Sequence, residues 1–148
     1  MDNTRTAGEK LLDAWMNLSS TVWNRRVVRT MTFNELCVCS LLKRRMEEAP
    51  EDNMTATDLC EKTRLFKSQM NKVLNTMEDK GFIKRTRSER DKRFVYIELC
   101  EKGLEQYELE HKEIMSIVNR LVDDIGEERT EQTAEAVNEI SETLRKFI

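Results

Sequence analysis

Four glycines and one proline in 148 residues leave few places for positive φ or closely spaced turns, which disfavours a glycine-dependent phosphate loop and a turn-rich β-sandwich. Histidine occurs once, as His111, and the four cysteines (Cys37, Cys39, Cys60, Cys100) form neither a C-x-x-C pair nor a set with histidine at metal-ligand spacing. Structural zinc is therefore not expected, no metal or cofactor is assigned, and the thiols fit a reducing compartment. The longest run without Asp, Glu, Lys or Arg is Ala14 to Asn24, far short of the ~20 apolar residues of a membrane span, so no membrane partner is expected. Met1-Asp2-Asn3-Thr4-Arg5-Thr6 has no apolar stretch behind its charges; a secretory signal is not expected and the cytoplasm is the assigned compartment. His111 reads as a surface residue on an acidic helix, and no paired carboxylates or nucleophile–base dyad can be placed. An enzyme is the weakest reading, and no catalytic residue is assigned.

What is abundant is charge. Charged residues make up 36% and hydrophobic ones 39% of the chain, a composition that favours helices with much solvated surface. The length suits one fold plus a dimerisation element, burying roughly 70% of the unfolded chain's surface without disulfides. The net charge of −3 hides a segregation: residues 1–61 carry −2, residues 62–93 carry eleven basic and four acidic side chains, and residues 94–148 carry −8. A basic cassette between acidic ends can attract a phosphate backbone locally while the rest repels it.

Periodicity places the elements. Leu11, Trp15, Leu18 and Val22, with Leu12, Trp23 and Val27 widening the stripe, predict an amphipathic helix over residues 9–28. Thr32, with Glu35 three residues on, caps a second helix that runs through Met46 and stops before Pro50. Thr55 and Asp58 form a capping box opening a short helix Ala56–Lys62, and after the turn Thr63–Phe66 a further helix runs from about Lys67 to Lys80, with Met70, Val73, Leu74 and Met77 inward and Gly81 as its left-handed terminator. Phe82–Arg87 and Arg93–Leu99 are β-propensity runs around a charged tip, Ser88–Lys92. A long helix begins at Glu101 with Ile114, Val118, Leu121 and Ile125 on one stripe, and a last helix follows Glu127 with Val137, Ile140, Leu144 and Phe147. The terminal helices carry more apolar surface than one small domain covers, so a partner subunit is expected over them. Trp15 and Trp23 then read as dimer or pocket core.

Two helices joined by a short turn form a helix-turn-helix, whose second member can enter a DNA major groove. Its outward face, Lys67, Ser68, Gln69, Asn71, Lys72 and Asn75, is polar, and no acid occurs from Lys62 to Met77. Lys and Arg give sequence-independent affinity by counterion release, while Gln69 and Asn71 can read adenine edges and Ser68 can reach a base or phosphate. Arg90 at the hairpin tip suits a narrow minor groove, and Asp91 would orient Arg93 by a charge-assisted pair. Arg87, Arg90 and Arg93 remain alternatives for deepest insertion.

The element order resembles the MarR family of winged helix-turn-helix regulators. Met54–Cys60 looks like the family's strand-and-helix opening, Lys67–Leu74 like its recognition helix, and Met77–Arg85 like its Leu-Glu-x-x-Gly-Leu-Ile-x-Arg junction. Arg90–Gly103 parallels the wing Asp-x-Arg signature, the returning strand and the Leu-Thr-x-x-Gly helix start. The resemblance, detailed over about Thr32–Tyr107, implies a mainly α (α+β) fold: a winged DNA-binding domain over residues 32–100, with the N-terminal helix (1–31) and C-terminal helices (101–148) forming a dimerisation domain. It further implies a homodimeric transcriptional regulator, expected to be a repressor, on an inverted repeat in double-stranded DNA, released by a small aromatic or amphipathic effector. Phe66 departs from the family's Asp or Ser, so the cap must come from Ser68 or elsewhere. Cys100 departs from the family's Thr. At a helix start it is a candidate redox thiolate, although a small residue filling the site is favoured. Cys37 and Cys39, about 200° apart around one helix, read as core rather than a bonded pair. The rivals are a winged-helix protein-interaction module and a redox-sensing regulator using Cys100.

Overall fold

The computed structural model describes residues 5–24 and 30–148. Its elements are α1 (Ala7–Asn24), α2 (Phe33–Glu48), β1 (Met54–Thr55), α3 (Ala56–Thr63), α4 (Lys67–Asp79), β2 (Ile83–Arg87), β3 (Val95–Leu99), α5 (Glu101–Ile125) and α6 (Glu127–Leu144). The order is the winged helix-turn-helix expected above. Val27, assigned to the first helix by periodicity, lies outside the described residues.

The chain divides into two units, Met1–Glu110 and His111–Ile148. In the first, three antiparallel strands in the order β1-β3-β2 pair Met54 with Ile97 and Ile83 with Leu99. Val38, Cys39 and Leu42 of α2, Leu59 of α3, and Met70, Leu74 and Met77 of α4 join Met54, Phe82, Ile83 and Ile97 in one buried cluster. Each such side chain contributes about 1.5–3 kcal/mol by leaving water.

Caps fix where the elements begin and end. Thr55 and Asp58 form the expected box: the Asp58 amide donates to Thr55 Oγ1 at 3.2 Å and the Thr55 amide to Asp58 Oδ2 at 2.9 Å. At α2 only half of the expected box forms. Thr32 accepts from the Glu35 amide at 3.2 Å, but the Glu35 carboxylate turns inward, 2% exposed, and accepts from Lys80 Nζ at 2.8 Å. A buried carboxylate gains more from an ammonium than from one amide. The α4 terminus is a Schellman motif around Gly81 (φ 76°), with Phe82 donating to the Met77 carbonyl and Gly81 to the Glu78 carbonyl. Phe82 is therefore spent on the helix end, and β2 starts one residue later than its sequence suggests.

Gly103 marks the closest approach: a Cβ there would stand 2.3 Å from the Phe82 carbonyl oxygen, which already accepts from the Cys100 amide at 2.8 Å. Farther along α5, buried Glu110 accepts from the Thr30 amide at 3.2 Å and from its hydroxyl. Gln106 Nε2 donates to the same hydroxyl at 2.7 Å.

In α1 no residue is buried; Leu18 and Trp23 are exposed. The second unit holds the rest of α5 and α6, in which again no residue is buried. The last helix ends at Leu144 rather than reaching Phe147, because the closing bonds tighten to three-residue spacing, Lys146 to the Thr143 carbonyl and Phe147 to the Leu144 carbonyl, both 3.1 Å. Among the described residues no helix is long and apolar enough to cross a membrane.

Candidate nucleic-acid interface

Met70, Leu74 and Met77 recur at helical spacing and bury one side of α4, which leaves Lys67, Ser68, Gln69, Asn71 and Lys72 exposed together. The turn ahead of α4 is fixed locally: Arg64 adopts φ 63° and its amide donates to the Cys60 carbonyl at 2.8 Å. Phe66 occupies the N-cap and has no acceptor. The cap comes from Gln69, not Ser68: Gln69 Oε1 accepts from the Phe66 amide at 2.9 Å. Gln69 is thus held at the helix start with one lone pair of its carbonyl oxygen in use.

Arg85 of β2 braces α4 from the side. Its guanidinium donates to Asn75 Oδ1, and its Nε, buried without a hydrogen bond, stands 3.7 Å from Glu78 Oε2. Asn75, counted among the outward polar residues from sequence, is therefore occupied by the protein itself.

The wing is a hairpin whose tip, Ser88 to Phe94, is closed by its own side chains. Asp91 accepts from Arg93 Nε at 3.0 Å, from Arg93 NH2 at 2.7 Å and from the Arg93 amide at 3.1 Å. The Arg93 guanidinium, and next its amide, hold the Asp91 carboxyl below its ordinary range. The Asp91–Arg93 pair expected from spacing is present. Arg87 donates to the Lys92 carbonyl at 2.6 Å and so closes the loop. Among the described residues no hydrogen bond or ion pair holds Arg90, which is exposed at the tip. The returning strand begins at Val95 rather than Arg93, because Phe94 donates to the Asp91 carbonyl at 3.0 Å and draws residues 93 and 94 into the turn.

Between α4, the start of α3 and the wing lies a groove of about 620 Å³ lined by Lys67, Asn71, Arg85, Arg93, Phe94 and Tyr96, among others. Lys67, Asn71 and Arg93 thus share one concave surface; Ser68, Gln69, Lys72, Arg87, Arg90 and Asp91 lie outside its lining. Sequence reasoning missed Arg85 and Phe94 here, although Arg85 closes the junction motif. A second cavity of about 400 Å³ lies under the C-terminal end of α2, with Arg45, Lys84, Leu42 and half-buried Cys100 in its wall. Cys39 is buried, and desolvation, then the charge of Glu35, push its thiol up to about 12. Cys37 is only half-buried, less deep than a core position, and burial raises its thiol as well. No group of three metal-ligating side chains occurs among the described residues.

A MarR family model matches residues 44–93, the stretch from the end of α2 through the wing. No curated protein matches the chain by sequence. Among solved structures, PcaV from Streptomyces coelicolor, solved with its natural ligand, is 15% identical with a TM-score of 0.74, covering 96% of each chain. MepR from S. aureus, solved with DNA, is 16% identical with a TM-score of 0.72, covering 95% of this chain and 99% of that one. FabT from Streptococcus pneumoniae, also with DNA, is 20% identical with a TM-score of 0.68, covering 94% of this chain and 96% of its own. At such identities the likeness is one of fold. Residues 44–93 thus carry the sequence pattern of the MarR family, and the chain has the winged-helix fold of these solved structures.

Proposed function

We propose that the protein is a DNA-binding transcriptional regulator that acts as a repressor, binding an inverted repeat as a cytoplasmic homodimer. One observation carries the reading: Lys67 and Asn71 of α4 line the same groove as Arg93 of the wing, on the segment, residues 62–93, in which basic side chains outnumber acidic ones. Phosphates are met by Lys67, Lys72 and Arg93; Ser68, Gln69 and Asn71 face base edges. Arg87 and Asp91 shape the wing so that Arg90, held by no hydrogen bond or ion pair among the described residues, reaches the minor groove. That MepR and FabT were solved with DNA supports this use of the fold.

Residues 1–31 and 101–148 form the dimerisation domain, and residues 32–100 the reading head. Helices such as α1 and α6, with no buried residue of their own, need a second copy to cover their apolar stripes. Two recognition helices then meet successive major grooves about one helical turn apart. An aromatic or amphipathic effector that displaces DNA belongs to the same proposal, as PcaV was solved with a ligand; calorimetry with a panel of such compounds, repeated on the DNA complex, tests it.

The primary test is selection from a random duplex library followed by a salt titration of binding. An enriched inverted repeat whose affinity falls linearly with the logarithm of salt concentration is expected. Failure to enrich any duplex, with capture of an acidic peptide instead, would favour the protein-interaction alternative.

A further inference from the structure

We propose that Phe66 is a base-reading residue that recognises the C5-methyl group of thymine at the start of α4. The inference rests on the DNA-binding reading above and names one determinant of its specificity. Phe66 is 76% exposed and contributes nothing to the buried cluster. It occupies an N-cap position, where an oxygen-bearing side chain would normally satisfy a helix amide. The ring cannot do so; the one side-chain bond at this helix start runs the other way, from the Phe66 amide to Gln69 Oε1. Phe66 therefore serves neither the core nor the cap.

Its place gives it another use. The first residues of a recognition helix approach base edges, and the thymine methyl is the one apolar group displayed in the major groove, a group that a phenyl ring suits. The bond from the Phe66 amide fixes the orientation of the Gln69 carboxamide and leaves its second lone pair and its NH2 group for adenine N6 and N7. Adenine and the thymine methyl belong to the same base pair. Phe66 and Gln69, tied to each other by one hydrogen bond, form a composite reader of A·T in which the amide takes the purine and the ring takes the methyl.

The experiment uses the full-length protein and the duplex enriched from the random library, with each thymine replaced in turn by deoxyuridine, which removes only the methyl. At one thymine per half-site the swap is expected to weaken binding roughly fourfold, the worth of one buried methyl-sized group. The F66A variant is expected to bind the thymine duplex about as weakly as the unchanged protein binds the uracil duplex, and to be indifferent to the swap. K67A, by contrast, should keep the methyl discrimination while its salt slope falls. Indifference of the unchanged protein to every swap, or full discrimination by F66A, would overturn the assignment and leave DNA binding standing. If no duplex is enriched at all, both readings fall.

Discussion

Asp91 and Arg93 show how two residues set the direction of a wing. With the guanidinium on both carboxylate oxygens, Asp91 titrates below the ordinary aspartate value of 3.8. A depressed folded-state pKa means that the pair's contribution is present above the unfolded value and is lost as pH falls through the folded one. The wing is therefore expected to hold its form across neutral pH. In R93A the Asp91 midpoint, followed by NMR, should move back up towards 3.8. R90A should weaken DNA binding with no change in wing order, whereas D91N should loosen the wing itself; amide exchange across Ser88–Phe94 separates the two. Glu35 and Lys80 present a costlier case. With Glu35 only 2% exposed, K80M strands a buried carboxylate and is expected to lower stability by about 3 kcal/mol in urea denaturation.

Elements are where sequence reading succeeds and where it stops. The capping box at Thr55, the Gly81 terminator and the Asp91/Arg93 spacing are local, set by residues five or fewer apart, and each was legible. So were the boundaries of α5, because Gly126 (φ 97°) follows it. The partners of Glu35 and Asn75 were not, since Lys80 and Arg85 reach them only once α2, α4 and β2 pack. The same holds for Gln69: its role as a cap follows from the missing acceptor on Phe66, a signal present in the sequence but ambiguous about which neighbour answers it. Two substitutions test these elements. T55A removes one amide acceptor from α3 and should cost about 1 kcal/mol. G103A drives a Cβ into the Phe82 carbonyl and should cost about 1–3 kcal/mol, because backbone must move; both are measured by chemical denaturation.

At the scale of the whole molecule the uncovered helices set the expectation. Leu18 is 62% and Leu121 51% exposed in one chain, so replacing both by Glu disturbs no core within that chain. If the proposed dimer forms through these helices, sedimentation should show the parent as a dimer and the double variant as a monomer, and the parent's thermal midpoint should rise with protein concentration. The bond between Thr30 and Glu110 bears on the molecule in another way. It joins positions 80 residues apart, both within the first unit, so the two ends of the stretch from Thr30 to Glu110 are fastened at one spot. A piece of chain whose ends meet behaves as a cassette: excised at residues 30 and 110, it should fold unaided, and grafted into the surface loop of an unrelated host it should keep its shape without straining either frame.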